Sequence, residues 1–215
     1  MAKGKAHIIY RHEKKRVPGA TTVLGLREKP QLIYAANKLG LAGYDSAVVW
    51  GEMADIGTLS HQMIVDHFAK KETDVSDYTP NQVKSAENSL LSFYEWEKGK
   101  VIDPIWVEYP LTCPLYGGTI DLYCVLDGVK SLIDFKTGKG IYEPEMPAQL
   151  AAYKKLLVSY GQVVEQSIVL NIPRTEDEKY EARVYKELDL YYDWFTHLLN
   201  LYYAEKKIKK GVEDG

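Results

Sequence analysis

The spacing of apolar residues along the chain predicts a helical amino-terminal half. Residues 45–71 carry apolar or small side chains every three or four positions, the repeat of one helix face, at Met53, Gly57, His61, Ile64 and Phe68. Helices are also predicted for residues 29–39 and 81–98. In the helix at 81–98 we expect an inward face made of Val83, Leu90, Leu91 and Tyr94.

The pattern changes after Gly99, where β-branched and aromatic residues partly alternate with polar ones. This predicts strands at residues 101–110, 115–126, 129–136, 164–172 and 180–185, with helices at 147–160 and 188–210. Such an order is typical of an α/β fold, here with a helical amino-terminal half. We therefore expect one domain, with a mainly helical part at 1–100, a sheet at 101–186 and a closing helix at 187–215.

Composition narrows the class of protein. The 215 residues are 46% hydrophobic and 27% charged, as in an ordinary soluble globular protein. No apolar run approaches the ~20 residues of a membrane span, and no apolar signal segment follows the basic amino terminus, so we expect a cytoplasmic protein with no membrane partner. The two cysteines, Cys113 and Cys124, are too few for a four-cysteine iron–sulfur cluster or a disulfide framework.

Charge is unevenly distributed along the chain. The net charge of −3 argues against a protein that binds nucleic acid merely by being basic. Two basic runs nevertheless stand near the chain ends: Lys3, Lys5, Arg11, Lys14, Lys15 and Arg16, and Lys206, Lys207, Lys209 and Lys210. They are either two solvated tails or a rim that contacts phosphate groups.

Three charged residues that can carry chemistry lie close together in one predicted hairpin. If Asp127 and Gly128 form a two-residue turn, residues whose numbers sum to 255 face each other, which places Asp121 opposite Asp134. Lys136 lies two residues beyond Asp134 and shares its face. Like charges in facing positions destabilise a hairpin unless something offsets them, and a divalent cation is the obvious offset. A three-residue loop would instead put the two aspartates on opposite faces.

These residues also carry a family resemblance. Residues 117–139, GGTIDLYCVLDGVKSLIDFKTGK, followed by QLAAY at 149–153, resemble the active-site signature of the PD-(D/E)XK nuclease superfamily, in its RecB-like and phage-exonuclease branch. The pattern is an aspartate on one strand, a D-x-K triplet on the next, and a glutamine with a tyrosine four residues later. Upstream, Gly57, Thr58 and His61 match a G-T-x-x-H element, and VPGATTVLG at 17–25 resembles the opening of phage members.

The resemblance implies a restriction-endonuclease-like core, with a mixed central β-sheet flanked by helices. It also implies a metal-dependent DNA nuclease with one or two Mg²⁺ or Mn²⁺ ions per site. It implies catalytic roles for Asp121, Asp134 and Lys136, and metal ligation by His61, Asp121, Asp134 and the backbone carbonyl of Phe135. Oxygen ligands suit these hard ions, and an imidazole shifts the preference modestly toward Mn²⁺. Contacts with DNA, or support of the lysine, are expected from Gln149, Tyr153, Thr137 and Lys139.

Several alternatives stay open at this point. His61 is either a ligand or a hydrogen-bonded core histidine, and Glu108 is either a carboxylate of the metal site or an edge-strand charge. The expected activity is that of a phage-type exonuclease in DNA recombination, repair or degradation. The alternatives are an endonuclease of the same fold and a catalytically silent nucleic-acid-binding module. The expected partners are DNA and an annealing or recombination protein, and a homo-oligomer is compatible with the sequence. No nucleotide cofactor is expected, because no G-x-x-x-x-G-K-[ST] loop is present.

Overall fold

The computed structural model of the protein describes residues 8–213, so that Lys3 and Lys5 of the first basic run lie outside the described residues, as does the side chain of Lys210. Its helices are α1 (Ala20–Leu24), α2 (Pro30–Leu41), α3 (Ser46–Ala69), α4 (Pro80–Glu97), α5 (Glu145–Ser159) and α6 (Asp189–Glu213). Its strands are β1 (Arg11–His12), β2 (Lys15–Arg16), β3 (Ile102–Thr112), β4 (Gly117–Leu126), β5 (Val129–Lys136), β6 (Gln166–Asn171) and β7 (Glu181–Tyr185).

The central sheet has the strand order β3-β4-β5-β6-β7. The pairs β3–β4, β4–β5 and β6–β7 are antiparallel, whereas β5 and β6 are parallel and are joined by the crossover helix α5. The expected α/β fold with a mixed sheet flanked by helices and a helical amino-terminal half is therefore confirmed. Among the described residues, no helix combines the length and apolar character needed to cross a bilayer.

Apolar side chains cover the sheet on both faces. On one face, residues of β4, β5 and β6 pack with α3 and α4 around Phe93 and Phe135. On the other face, Tyr123 and Leu132 pack with α1, α5 and α6. Helices thus bury both faces of these central strands.

Helices α3 and α4 each begin directly after a capping residue. The Asp45 side chain accepts a hydrogen bond from the Ala47 backbone N–H at 2.8 Å. Thr79 and Gln82 form a reciprocal capping box at the start of α4, with Pro80 in the first turn. Local capping chemistry therefore determines both helix starts, and the predicted bounds agree within one or two residues.

The inward face of α4 differs from the prediction. Leu91 is 59% exposed and Tyr94 is 38% exposed, whereas Phe93 and Trp96 are buried against the sheet. Phe93 makes an edge contact with Phe135 of β5, with ring centroids 5.8 Å apart. The two large aromatic rings fill more space between helix and sheet than the leucine and tyrosine could, so they determine which face of the helix is buried.

Removing the Phe93 ring tests this packing. Phe93→Ala should lower the free energy of unfolding by about 3–5 kcal/mol, because it leaves a cavity between α4 and β5. The matched control Leu91→Ala, on the exposed side of the same helix, should change it by no more than about 0.5 kcal/mol. Urea denaturation followed by circular dichroism measures both, and equal losses in the two variants would contradict the packing described.

Candidate active site

The β4–β5 hairpin has the predicted register near its turn. The ladder runs from Leu126–Val129 to Leu122–Ile133, pairs whose numbers sum to 255. The turn residues Asp127 and Gly128 have φ angles of 49° and 84°. Two successive positive φ angles are what a type I′ two-residue turn requires, so the turn and the register support each other.

Asp121 lies where this ladder ends. Its Oδ2 accepts a hydrogen bond from the Phe135 backbone N–H at 2.8 Å, a bond that regular pairing would give to a backbone carbonyl of β4. The carboxylate therefore stands between the two strands, and its other oxygen, Oδ1, lies 3.7 Å from His61 Nδ1. The ladder pairs thus stop one residue short of Asp121 and Asp134.

Three side chains from different elements meet beside this point. His61 Nδ1 of α3 lies 3.5 Å from Glu108 Oε1 of β3 as well as near Asp121. One ligand atom from each residue lies within 4.8 Å of both others. Two carboxylate oxygens and one imidazole nitrogen are a donor set that suits Mg²⁺ or Mn²⁺, so the residues present fit a divalent cation.

Glu108 occupies a strained backbone position within β3. The neighbouring pairs Val107–Leu122 and Tyr109–Ile120 place it opposite Asp121 across the ladder. Its φ angle is 47°, in the left-handed region that residues other than glycine rarely adopt. Strain of this kind tends to concentrate at functional sites. Of the two alternatives for Glu108, the geometry favours membership of the site.

Close packing of α3 on the end of β5 positions His61. A Cβ added to Gly57 would lie 3.3 Å from Thr137 Oγ1, so a glycine is what allows the helix to approach this closely. His61 stands one helical turn further on, and its ring contacts the edge of Phe135 at a centroid distance of 6.0 Å. Gly57, the first residue of the G-T-x-x-H element, therefore has a packing role. The second residue of the element, Thr58, bonds only to the Ala54 carbonyl within the same helix in the contacts described.

Asp134, Lys136, Gln149 and Tyr153 form a second, connected group. Lys136 Nζ lies 2.5 Å from Asp134 Oδ2 and donates to Gln149 Oε1 at 3.2 Å. Gln149 Nε2 donates to Asp134 Oδ1 at 3.0 Å and to the Tyr153 hydroxyl oxygen at 2.9 Å. The aspartate side chain is only 1% exposed. Gln149 thus holds both members of the D-x-K pair, and Asp134 lies outside the three-residue group around His61.

Gly118 of β4 leaves room for the ring of Tyr153. A Cβ added to Gly118 would lie 2.3 Å from the tyrosine ring, closer than side chains can approach. The ring is buried, and burial raises the pKa of the Tyr153 hydroxyl, so that the group stays neutral. A neutral hydroxyl can accept the Gln149 bond and keep the amide oriented toward the lysine.

Burial and neighbouring charges shift the pKa values of Asp121 and Lys136. Burial raises the pKa of Asp121 to about 7, and the charges of Asp134 and Glu108 act in the same direction against the opposing His61 and Lys136. Burial acts to lower the pKa of Lys136, but Asp134 and Asp121 outweigh it, so the pKa is raised. The lysine is therefore an ammonium group near neutral pH, which favours positioning and charge neutralisation over service as a base.

The His61 imidazole responds to the same carboxylates. Burial acts to lower its pKa, but the charges of Asp121 and Glu108 outweigh this effect, so the pKa is raised. A histidine surrounded by carboxylates in this way differs from a core histidine bonded to backbone groups. The contacts thus favour the ligand alternative.

The remaining predicted site residues lie around this centre. Thr137 is buried and accepts hydrogen bonds from Arg174, whereas Lys139 is exposed in the loop after β5. The Phe135 ring belongs to the core, and metal ligation by its backbone carbonyl stays a prediction. Arg174 itself is absent from the sequence-based site. The only signal for it is an arginine three residues after the end of the strongly apolar strand β6, at the sheet end where β5 also finishes.

Comparisons with solved structures return nucleases among the similar folds. The chain is similar to an alkaline exonuclease (LHK-Exo) from Laribacter hongkongensis, at 12% identity and a TM-score of 0.42, over 75% of this chain and 90% of that one. The same exonuclease in complex with dAMP matches at 12% identity and a TM-score of 0.41, over 73% and 85%. The structure of SSO0001 matches at 16% identity and a TM-score of 0.36, over 72% of each chain.

No family model and no curated protein matches this chain. The structural likenesses are distant, with TM-scores below 0.5. Functional inference therefore depends on the geometry of this chain's own residues.

The raised pKa of Asp121 makes a prediction about stability. Because its pKa of about 7 in the folded protein exceeds the unfolded value of 3.8, ionising it costs stability as pH rises between these values. In chelator, Asp121→Asn should therefore be more stable than the parent at pH 8, and the gain should shrink toward pH 4. Thermal melts at several pH values measure this difference. Glu95→Gln, an exposed acid of α4, is the control and should show no such trend. A destabilised Asp121→Asn at pH 8 would contradict the charge crowding described.

Proposed function

We propose that the protein is a divalent-metal-dependent deoxyribonuclease that hydrolyses phosphodiester bonds, most simply as a phage-type exonuclease. The proposal rests mainly on one observation, that two groups of side chains meet at one end of the sheet. There, His61, Glu108 and Asp121 offer a cation site, and Asp121 lies close enough to Lys136 for its charge to help raise the lysine's pKa. Hydrolysis of a phosphodiester needs these two functions together, a cation site and a fixed positive group.

The chain's own residues have distinct roles in the proposed mechanism. His61, Glu108 and Asp121 would hold the cation, with Asp134 and the Phe135 carbonyl completing the ligand set. A divalent cation held there supplies the charge that activates a water molecule and neutralises phosphate oxygens. Lys136, kept as an ammonium group by its aspartate neighbours, orients the attacking water and offsets negative charge on the phosphate. Gln149 holds the lysine in place, and Tyr153 holds Gln149.

Basic residues near both chain ends support DNA as the substrate. Arg16 of β2 and Lys206 of α6 line the same surface groove, so the two basic runs meet in the folded protein. The segment before β1 is joined to the catalytic strand by a 2.9 Å hydrogen bond between the Tyr10 hydroxyl and Thr119 Oγ1. This arrangement favours a phosphate-contacting rim over two solvated tails.

A cleft beside Lys136 supports an exonuclease. The cleft has a volume of about 470 Å³ and opens onto Lys136 and Gln149. Apolar or aromatic side chains supply half of its other lining residues, and polar or charged ones supply the rest: Leu24, Leu32, Tyr142 and Met146, with Thr21, Lys29, Gln31 and Glu145. A nucleotide base has apolar faces that pack on such apolar side chains, so the cleft suits the terminal nucleotide of a strand.

The proposed setting follows from this activity. The nuclease would act in the cytoplasm of a bacterial or phage-infected cell, in recombination, repair or degradation of DNA. An annealing or recombination protein would use the single strand that it leaves.

The direct test compares end-labelled linear duplex with covalently closed circular DNA in Mg²⁺, in Mn²⁺ and in chelator. Degradation of linear DNA alone, and only with a divalent ion, is the expected result. Cleavage of the closed circle would instead identify an endonuclease, and binding without cleavage would identify a silent module. Absence of both binding and cleavage would overturn the proposal.

Lys136→Ala should separate catalysis from binding. The variant should lose about a hundredfold or more in cleavage rate while keeping divalent-ion affinity, because the lysine acts on water and phosphate charge and lies outside the three-residue cation group. Single-turnover cleavage and calorimetry measure the two properties. Lys98→Ala, an exposed lysine after α4, is the matched control. Full activity in Lys136→Ala would remove the residue from the mechanism.

His61→Ala should weaken Mn²⁺ binding and lower the ratio of Mn²⁺ to Mg²⁺ activity, because the imidazole is the softest donor of the site. Its melting temperature in chelator should fall only modestly, because the side chain is 24% exposed, although the change removes an imidazole whose charge partly offsets Asp121 and Glu108. Calorimetry and thermal melts on the same sample check both statements. A strongly destabilised variant with parental Mn²⁺ affinity would restore the core-histidine alternative.

A further inference from the structure

Arg174 lies in a fixed position after β6. The backbone carbonyl of Arg174 accepts a hydrogen bond from Asn88 Nδ2 at 3.0 Å, and the carbonyl of Pro173 accepts one from the Ser89 hydroxyl at 3.2 Å. Two residues earlier, the Ile172 N–H donates to the Lys136 carbonyl at 2.7 Å. The segment is thus tied to α4 on one side and runs beside the catalytic lysine on the other.

The guanidinium group reaches back toward the site. Its Nε and Nη2 donate to Thr137 Oγ1 at 3.1 and 2.8 Å. It also packs against α3, where a Cβ added to Gly57 would lie 3.6 Å from Nη2. Gly57 is one turn from His61, and Thr137 follows Lys136 directly. The guanidinium therefore stands between the element that carries the imidazole and the strand that carries the lysine.

No carboxylate balances this charge among the side chains that the structure describes. Glu176, two residues further on, pairs with Lys84 at 3.2 Å, and Glu178 accepts from the Thr175 hydroxyl at 3.0 Å. Burial alone shifts the pKa of Arg174, and it lowers it. A partly buried cation whose neighbour is a neutral hydroxyl costs free energy, and an anionic ligand would recover it.

We propose that Arg174 is a phosphate-binding residue of the substrate site, held in position by Thr137. Thr137 occupies two of the five guanidinium N–H donors, which leaves the others for non-bridging oxygens of a nucleic-acid phosphate. The planar fork of an arginine matches phosphate geometry. Thr137 thereby becomes a positioning residue. This inference rests on the proposed nuclease function and adds a specific phosphate contact to it.

The test is the salt dependence of binding to a fluorescently labelled blunt duplex, with Ca²⁺ replacing Mg²⁺ to slow hydrolysis. Arg174→Gln keeps an N–H donor for Thr137 but loses the charge. It should bind about tenfold more weakly, and the slope of log K against log salt should fall in magnitude by about 0.9. Arg174→Lys should keep the parental slope with weaker binding. The control Lys84→Gln removes an exposed cation of α4 and should keep both values.

The outcomes separate this inference from the proposed function. A parent that binds and cleaves DNA while Arg174→Gln keeps the parental slope overturns the phosphate contact alone. A parent that does not bind DNA overturns both. If Arg174→Gln fails to fold, Thr137→Val supplies the test, since it keeps the charge and removes the hydroxyl that orients it. Weaker DNA binding by Thr137→Val, with an unchanged slope of log K against log salt, supports the inference. Parental DNA affinity in Thr137→Val overturns it.

Discussion

Crowding of negative charge at the diverging end of β4 and β5 is the constraint on which the site depends. Glu108, Asp121 and Asp134 converge there with little exposure to solvent, and Lys136 and His61 lie among them as cationic groups. Burial raises the pKa of Asp121 most, and the charges of Asp134 and Glu108 raise it further. A divalent cation would relieve this repulsion and at the same time supply catalytic charge. Binding of the cation would therefore serve both the stability of the site and its function.

The surrounding scaffold holds that crowding in place. Gly57 lets α3 approach the end of β5, and Gly118 leaves room for the Tyr153 ring. The positive φ angle of Glu108 adds backbone strain on the third side. Each feature costs conformational freedom or stability, which the two apolar layers around the sheet offset. This packing holds the like charges of the site close together.

Much of the fold could be predicted because its signals are local. Capping by Asp45 and Thr79 determines where α3 and α4 begin, and the Asp127–Gly128 turn determines the hairpin register. The inward face of α4 could not be predicted in this way, since it depends on how Phe93 fits against Phe135 of a distant strand. Divergence of β4 from β5 at Asp121 is likewise a tertiary effect, because a side chain there replaces a backbone acceptor. Arg174 reaches Thr137 across 37 positions only through the parallel pairing of β5 with β6.

We propose that one divalent cation binds between His61, Glu108 and Asp121. A crystal grown with Mn²⁺ tests it most directly, because anomalous scattering locates the ion without reference to activity. We expect an anomalous peak bonded to His61 Nδ1 and to a carboxylate oxygen of each of the two acids. A fully occupied peak elsewhere in the molecule, or no peak at this site at saturating Mn²⁺, would contradict it.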